Sequence, residues 1–143
     1  MDTELRPVWN MDCKLLFEWA IDEDTRKNSL KPEPIRWEDH VVWFYKKLNN
    51  PFCKMFILEE DDQPIGQIRY DKVDKHWQVD FYIDKTFRGL GFGKKIVELS
   101  RAKIPGPILA IVKQENVSSC KVFEKLGFVR KKVENGLMHY MDY

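Results

Sequence analysis

At 143 residues with 43% apolar content, the chain can bury a real core, and one domain is expected over residues 1–143. Its 24 basic and 23 acidic residues leave a net charge of +1, which argues against a dedicated nucleic-acid or anionic-membrane binder. Cys13, Cys53 and Cys120 are odd in number and lack metal-ligand spacing; with no signal peptide and no membrane-length apolar run, they read as reduced thiols in a cytoplasmic protein without a metal.

In chain order, Glu4 to Val8 reads as a first strand and Met11 to Asp22 as an amphipathic helix with Met11, Leu15 and Trp19 in one stripe. Asp24 to Pro34 is polar, holds two prolines and reads as a loop. Trp37 to Leu48 follows as a second helix, stopped by Asn49-Asn50-Pro51. Lys54 to Leu58 and Pro64 to Tyr70 flank a hairpin turn at Asp61-Asp62-Gln63, and Trp77 to Asp84 is the next strand. A helix starts near Phe92, with Ile96 and Leu99 on its apolar side. Ile108 to Val112, bounded by Pro105-Gly106-Pro107, is a short buried strand. Asn116 opens a helix over Val117 to Leu126 that stops at Gly127. Phe128 to Val133 and Leu137 to Met141 close the chain as a hairpin around Asn135-Gly136.

The segment Arg88-Gly89-Leu90-Gly91-Phe92-Gly93-Lys94 carries the chemistry. A glycine-rich turn between a strand and a helix can close backbone N–H groups around an anion, and the helix N-terminus adds partial positive charge. A Walker loop needs a Gly where Arg88 stands and a Ser or Thr where Lys95 stands. The dinucleotide fingerprint needs a Gly at position 94, which is Lys. What remains is Arg-x-x-Gly-x-Gly after a strand, which resembles the acyl-CoA pyrophosphate loop of the GCN5-related N-acetyltransferase (GNAT) family.

Asn116, Phe123 and Leu126-Gly127-Phe128 resemble that family's second signature. The resemblance implies an α/β (α+β) GNAT fold, a mixed, largely antiparallel sheet with helices on both faces in the order β-α-α-β-β-β-α-β-α-β-β. It implies acetyl-CoA as co-substrate, with the pantetheine arm between two splayed strands. Tyr82, Ile83, Arg88, Gly89, Leu90, Gly91, Phe92, Gly93, Lys94, Asn116 and Phe123 are then the cofactor residues, and a backbone N–H near Tyr82-Ile83 faces the thioester carbonyl. The chain departs from the pattern twice. Trp77 stands where known members carry a Glu base, which leaves Asp80, the nearest carboxylate on the same strand, as the candidate catalytic base. Phe123 stands where a Tyr acid is usual and cannot give a proton, so the general acid is unassigned and Phe123 packs against the arm.

Arg26-x-Asn28-Ser29, then Ile35-x-x-x-x-His40-x-x-Trp43-Phe44, resemble the GNAT branch that acetylates nucleotide-linked amino sugars, as in pseudaminic acid pathways. Asn28, Ser29 and His40 are then expected at a small-molecule amine acceptor, since amide and hydroxyl groups suit sugar oxygens. A peptide N-terminus as acceptor, or acetyl-CoA binding without catalysis, are the alternatives. A homodimer is compatible with each.

Overall fold

Seven strands form in the computed structural model, which describes residues 3–142. They are β1 (Thr3–Pro7), β2 (Cys53–Glu60), β3 (Gln63–Val73), β4 (His76–Ile83), β5 (Ile108–Lys113), β6 (Val129–Glu134) and β7 (Leu137–Asp142). They form one sheet in the order β1-β2-β3-β4-β5-β7-β6. Only β4 and β5 run parallel; the other neighbours are antiparallel.

The helices are α1 (Cys13–Ala20), α2 (Glu23–Asn28), α3 (Trp37–Leu48), α4 (Phe92–Arg101) and α5 (Val117–Lys125). Successive strand side chains point to opposite faces, so the sheet carries two cores. Ile68, Tyr70, Val79, Ala110 and Tyr140 pack with Ile96 and Val97 of α4 and Cys120 and Phe123 of α5. Met55 and Ile57 pack on the other face with Leu16 and Trp19 of α1 and Phe44 of α3. Tyr70 and Ser100 of α4 share a buried 2.7 Å hydrogen bond that fixes α4 on the sheet.

Most element boundaries agree with the sequence reading, and α3 spans the expected Trp37–Leu48. Two expectations change. The segment 24–34 is not all loop, because Asp22 accepts a hydrogen bond from the Thr25 amide and caps α2 ahead of the two prolines. The first helix is shorter than expected, preceded by a 3-10 turn at Asn10–Asp12. There Asp12 turns inward to accept from the Trp9 amide at 2.7 Å and to pair with Arg6 at 2.8 Å. Met11 is thereby swung out to 77% exposure, and Cys13, Leu16 and Trp19 form the buried face instead.

Candidate active site

β4 and β5 pair only at Trp77–Ile108, Gln78–Leu109 and Val79–Ala110, and beyond that level they part. The Trp77 amide donates to the Pro107 carbonyl on the β5 side, whereas the Asp84 amide donates to Ile65 on the β3 side. Backbone direction alternates along a strand. The amide and carbonyl of Phe81 and the amide of Ile83 therefore turn into the fork, with no partner on β5. Tyr82, expected beside a thioester, turns its backbone toward Gln67 and Gly66 of β3, and it is the backbone of Phe81, which the sequence reading missed, that faces the fork. The alternation was legible in the strand, but which parity faced the fork depended on the pairing with β5.

The open end of the fork leads through a short turn at Lys85–Phe87 into the glycine loop and α4. Gly89 (φ +78°) and Gly91 (φ +86°) hold the left-handed conformation, and a Cβ on either would meet no atom within 4 Å. The first α4 amide with a helical partner is Lys95, which donates to the Gly91 carbonyl at 3.2 Å. The amides of Phe92, Gly93 and Lys94 are thus the free N-terminal donors of the helix. Leu90, Lys94 and Lys95 are exposed around them. Gly93 differs from the other two, because a Cβ there would sit 3.2 Å from the Phe81 ring and 3.3 Å from Val122. It lets α4 pack against β4 and α5. The loop is an open, amide-lined cradle that fits a pyrophosphate.

Arg88 does not lend its charge to this cradle. Its Nη2 pairs with Asp22 at 2.9 Å, its Nη1 with Asp24 at 3.2 Å, and its Nε donates to the Ile83 carbonyl at 2.9 Å. Asn116 caps α5, with its side-chain oxygen accepting from the Ser119 amide at 3.4 Å. Phe123, at 2% exposure, is enclosed by the rings of Phe81, Phe128 and Tyr140, so it supports the fork from beneath and has little surface for a pantetheine arm. Trp77 is buried at the closed end of the fork. The nearby phenols are committed as well: Tyr140 donates to Glu124 at 2.6 Å, and Tyr82 to the Leu16 carbonyl at 3.3 Å. Burial raises both of their pKa values, so neither is poised to give up its proton.

On the α1–α3 face of β4 the Asp80 carboxylate is 62% exposed, 3.5 Å from Arg69. Arg69 also pairs with Asp71 at 2.8 Å and lies over the Trp43 ring. Beside Tyr82 on β3 the buried Gln67 side chain has no hydrogen-bond partner among the described residues, an orphan amide on this same face. Arg26 ties the α2–α3 connection together through the carbonyls of Ala20, Lys31 and Glu33. Lys113, at the end of β5, donates to the Lys27 carbonyl at 2.8 Å and brings the end of α2 to the fork, with Asn28 and Ser29 next in sequence. Ser29 accepts from the Lys31 amide at 3.2 Å.

His40 is not part of this assembly. It is 3% exposed between α1 and α3, bonded through Nε2 to the Cys13 carbonyl at 2.9 Å and surrounded by Phe17, Trp37, Trp43 and Phe44. Burial lowers its pKa, against the opposing effect of that bond, so the ring is held neutral as a packing group and has no surface for an acceptor. Among the described residues no cluster of His, Cys, Asp or Glu could hold a metal ion, and no helix is long and apolar enough to cross a membrane.

A domain from Methanocaldococcus jannaschii DSM 2661 superimposes with a TM-score of 0.83 at 21% identity, over 99% of this chain and 97% of that one. The spermidine N-acetyltransferase of Vibrio cholerae in complex with CoA and spermine does so with a TM-score of 0.80 at 15% identity, over 97% and 92%. The Campylobacter jejuni N-acetyltransferase PseH in complex with acetyl coenzyme A gives 0.74 at 17% identity, over 99% and 98%. These likenesses show a shared fold. No curated protein matches the sequence. The model of the acetyltransferase (GNAT) family, however, matches residues 14–128, from α1 through the forked strands and the glycine loop to the end of α5, and the chain belongs to that family.

Proposed function

We propose that this acetyltransferase moves an acetyl group from acetyl-CoA to the primary amine of a nucleotide-linked amino sugar, with residues 1–143 acting as one catalytic domain. Acetyl-CoA supplies the acetyl group activated as a thioester. The amides of Phe92, Gly93 and Lys94 bind the pyrophosphate in the cradle opened by Gly89 and Gly91. Lys94 and Lys95 add positive charge there. The Phe81 and Ile83 backbone groups hold the pantetheine amides in the fork, where β4 offers donors and acceptors without a strand partner. Asn116 and Phe123 act indirectly, by fixing the start and the underside of α5.

The observation that carries the acceptor assignment is the charge around the fork. Asp80 stands there against Arg69 and within the field of Arg26, with Lys113 at the rim. Asp80 is the exposed carboxylate of this grouping, whereas Asp71 is engaged by Arg69 and Lys47. One exposed carboxylate beside cations suits one amine joined to an anionic nucleotide better than a polycation, which needs several acidic partners. The acidic grouping of Glu4, Glu59, Asp61 and Asp62 lies instead at the β1–β2 side of the sheet. Asn28 and Ser29, held beside the fork by the Lys113–Lys27 contact, are the side chains that read sugar oxygens.

Thiol release from acetyl-CoA across nucleotide-linked amino sugars, polyamines and peptide N-termini tests this reading. Turnover is expected with the sugars. Turnover only with polyamines or peptides would overturn the acceptor class, and CoA binding without turnover of any amine would overturn the transfer itself.

A further inference from the structure

We infer that His139 accepts the proton released by the acceptor amine, an assignment that rests on the transfer reading above. The last paired level of β4 and β5 is Val79–Ala110, so the next level, where the strands part, holds Asp80 and Ile111. On the far side of Ile111, β7 pairs with it at His139. Val79, Ala110 and its partner Tyr140 all belong to the core beneath α4 and α5. One residue along each strand the side chains reverse. Asp80, Ile111 and His139 therefore all turn to the opposite face, at the level where the fork opens.

That face is covered unevenly. The core under α1 and α3 is built on β2 with Tyr82 of β4 and includes no residue of β5 or β7. Leu109, Ile111, Leu137 and His139 are accordingly half-buried, forming a shallow apolar floor with an imidazole in it. His139 is one strand spacing, about 5 Å, from the Ile111 backbone that borders the fork. Lys132 and Glu134 of β6 flank it, paired with each other at 2.9 Å, with Lys113 further along β5 and Asp80 across the fork beside Arg69. Glu134 is engaged by Lys132, and Asp80 faces a guanidinium, whereas histidine is the side chain that both takes and gives protons near neutral pH.

In the transfer, the amine lone pair forms the bond to the acetyl carbon. The carbon–sulfur bond breaks, and its electron pair leaves with sulfur. The proton lost by nitrogen passes to the His139 ring, which returns it to sulfur or to solvent. Asp80, on the other side of the fork, orients the incoming ammonium, which first gives one proton to solvent and so frees the lone pair. The proton that His139 takes is the second one, lost after the bond to carbon forms.

The chain has three histidines, so the ring signals of His40 and His76 serve as internal references. Adding CoA should shift the NMR ring signals of His139 while leaving those of buried His40 in place. In His139→Gln, kcat/KM for the acceptor at neutral pH should fall about 100-fold. The acid-side inflection of its pH profile should disappear, with CoA affinity and melting temperature retained. A His139 ring blind to CoA, or a variant that keeps both rate and inflection, would overturn the assignment alone. A wild-type protein that turns over no amine would remove the transfer reading and this assignment together.

Discussion

Arg88 and Asp22, 66 residues apart in sequence, meet at 2.9 Å and join the mouth of the glycine loop to the start of α2. The same guanidinium holds Asp24 and the Ile83 carbonyl. The loop that would grip one substrate and the segment that would wall in the other are thereby tied through one side chain. Burial works to raise the Asp22 pKa, but Arg88 and the Thr25 amide outweigh it, and the carboxyl ends below its ordinary 3.8. Because the folded value lies below the unfolded one, this contribution is in force above pH 3.8 and is lost as pH falls further.

Arg88→Ala should therefore cost stability, about 1 kcal/mol or less given its partial exposure, and loosen α2 as read by hydrogen exchange. CoA affinity by calorimetry should fall only severalfold, because the cradle is made of backbone amides. A large loss of affinity without any change at α2 would show that the guanidinium swings to the phosphates.

Gly91 and Gly93 of the loop should separate by experiment. Gly91→Ala strains a backbone at φ +86° without a clash, at a cost of about 1–2 kcal/mol. Gly91→Val should in addition weaken CoA binding at least tenfold by filling the cradle. Gly93→Ala meets Phe81 and Val122 at 3.2 and 3.3 Å, so it should lower the melting temperature through packing, with no left-handed strain. Melting curves and calorimetry on the same variants distinguish the two patterns.

Phe123→Leu should cost about 1 kcal/mol of stability, as a shape change in a ring cluster, while kcat stays within a few-fold. Phe123 gives no proton, and its ring only supports Phe81. A collapse of kcat at unchanged KM would show a role for the ring in the reaction.

The His40 ring is kept neutral, with a folded pKa below its ordinary 6.5. A lowered value means that the unfolded chain binds the proton first, so stability is full above pH 6.5 and falls as pH drops below it. His40→Phe keeps an aromatic ring between Phe17 and Trp43 and gives up the bond to the Cys13 carbonyl, at a cost of about 1 kcal/mol at neutral pH. The difference in melting temperature between pH 7.5 and pH 5.5 should be smaller in the variant than in the wild type. An equal difference would place the acid sensitivity elsewhere.

The sequence by itself determined the elements and the loop. α3 begins and ends where its apolar period and its Asn49-Asn50-Pro51 stop require. Asn135 and Gly136 adopt the positive φ values that a tight hairpin between β6 and β7 needs. Gly89 and Gly91 take up the left-handed conformation expected of such a loop. These features depend on neighbours a few residues away, and local composition records them. Only the tertiary structure decided where side chains from distant segments point. His40 meets its carbonyl partner 27 residues away, and Arg88 meets its carboxylates 64 and 66 residues away. Phe81 faces the fork only because β4 pairs with β5 in one register, and His139 reaches that level only through β5 and β7. A shift of one residue in either pairing would turn each of these groups to the other side, so long-range register, which no local pattern encodes, assembles the site.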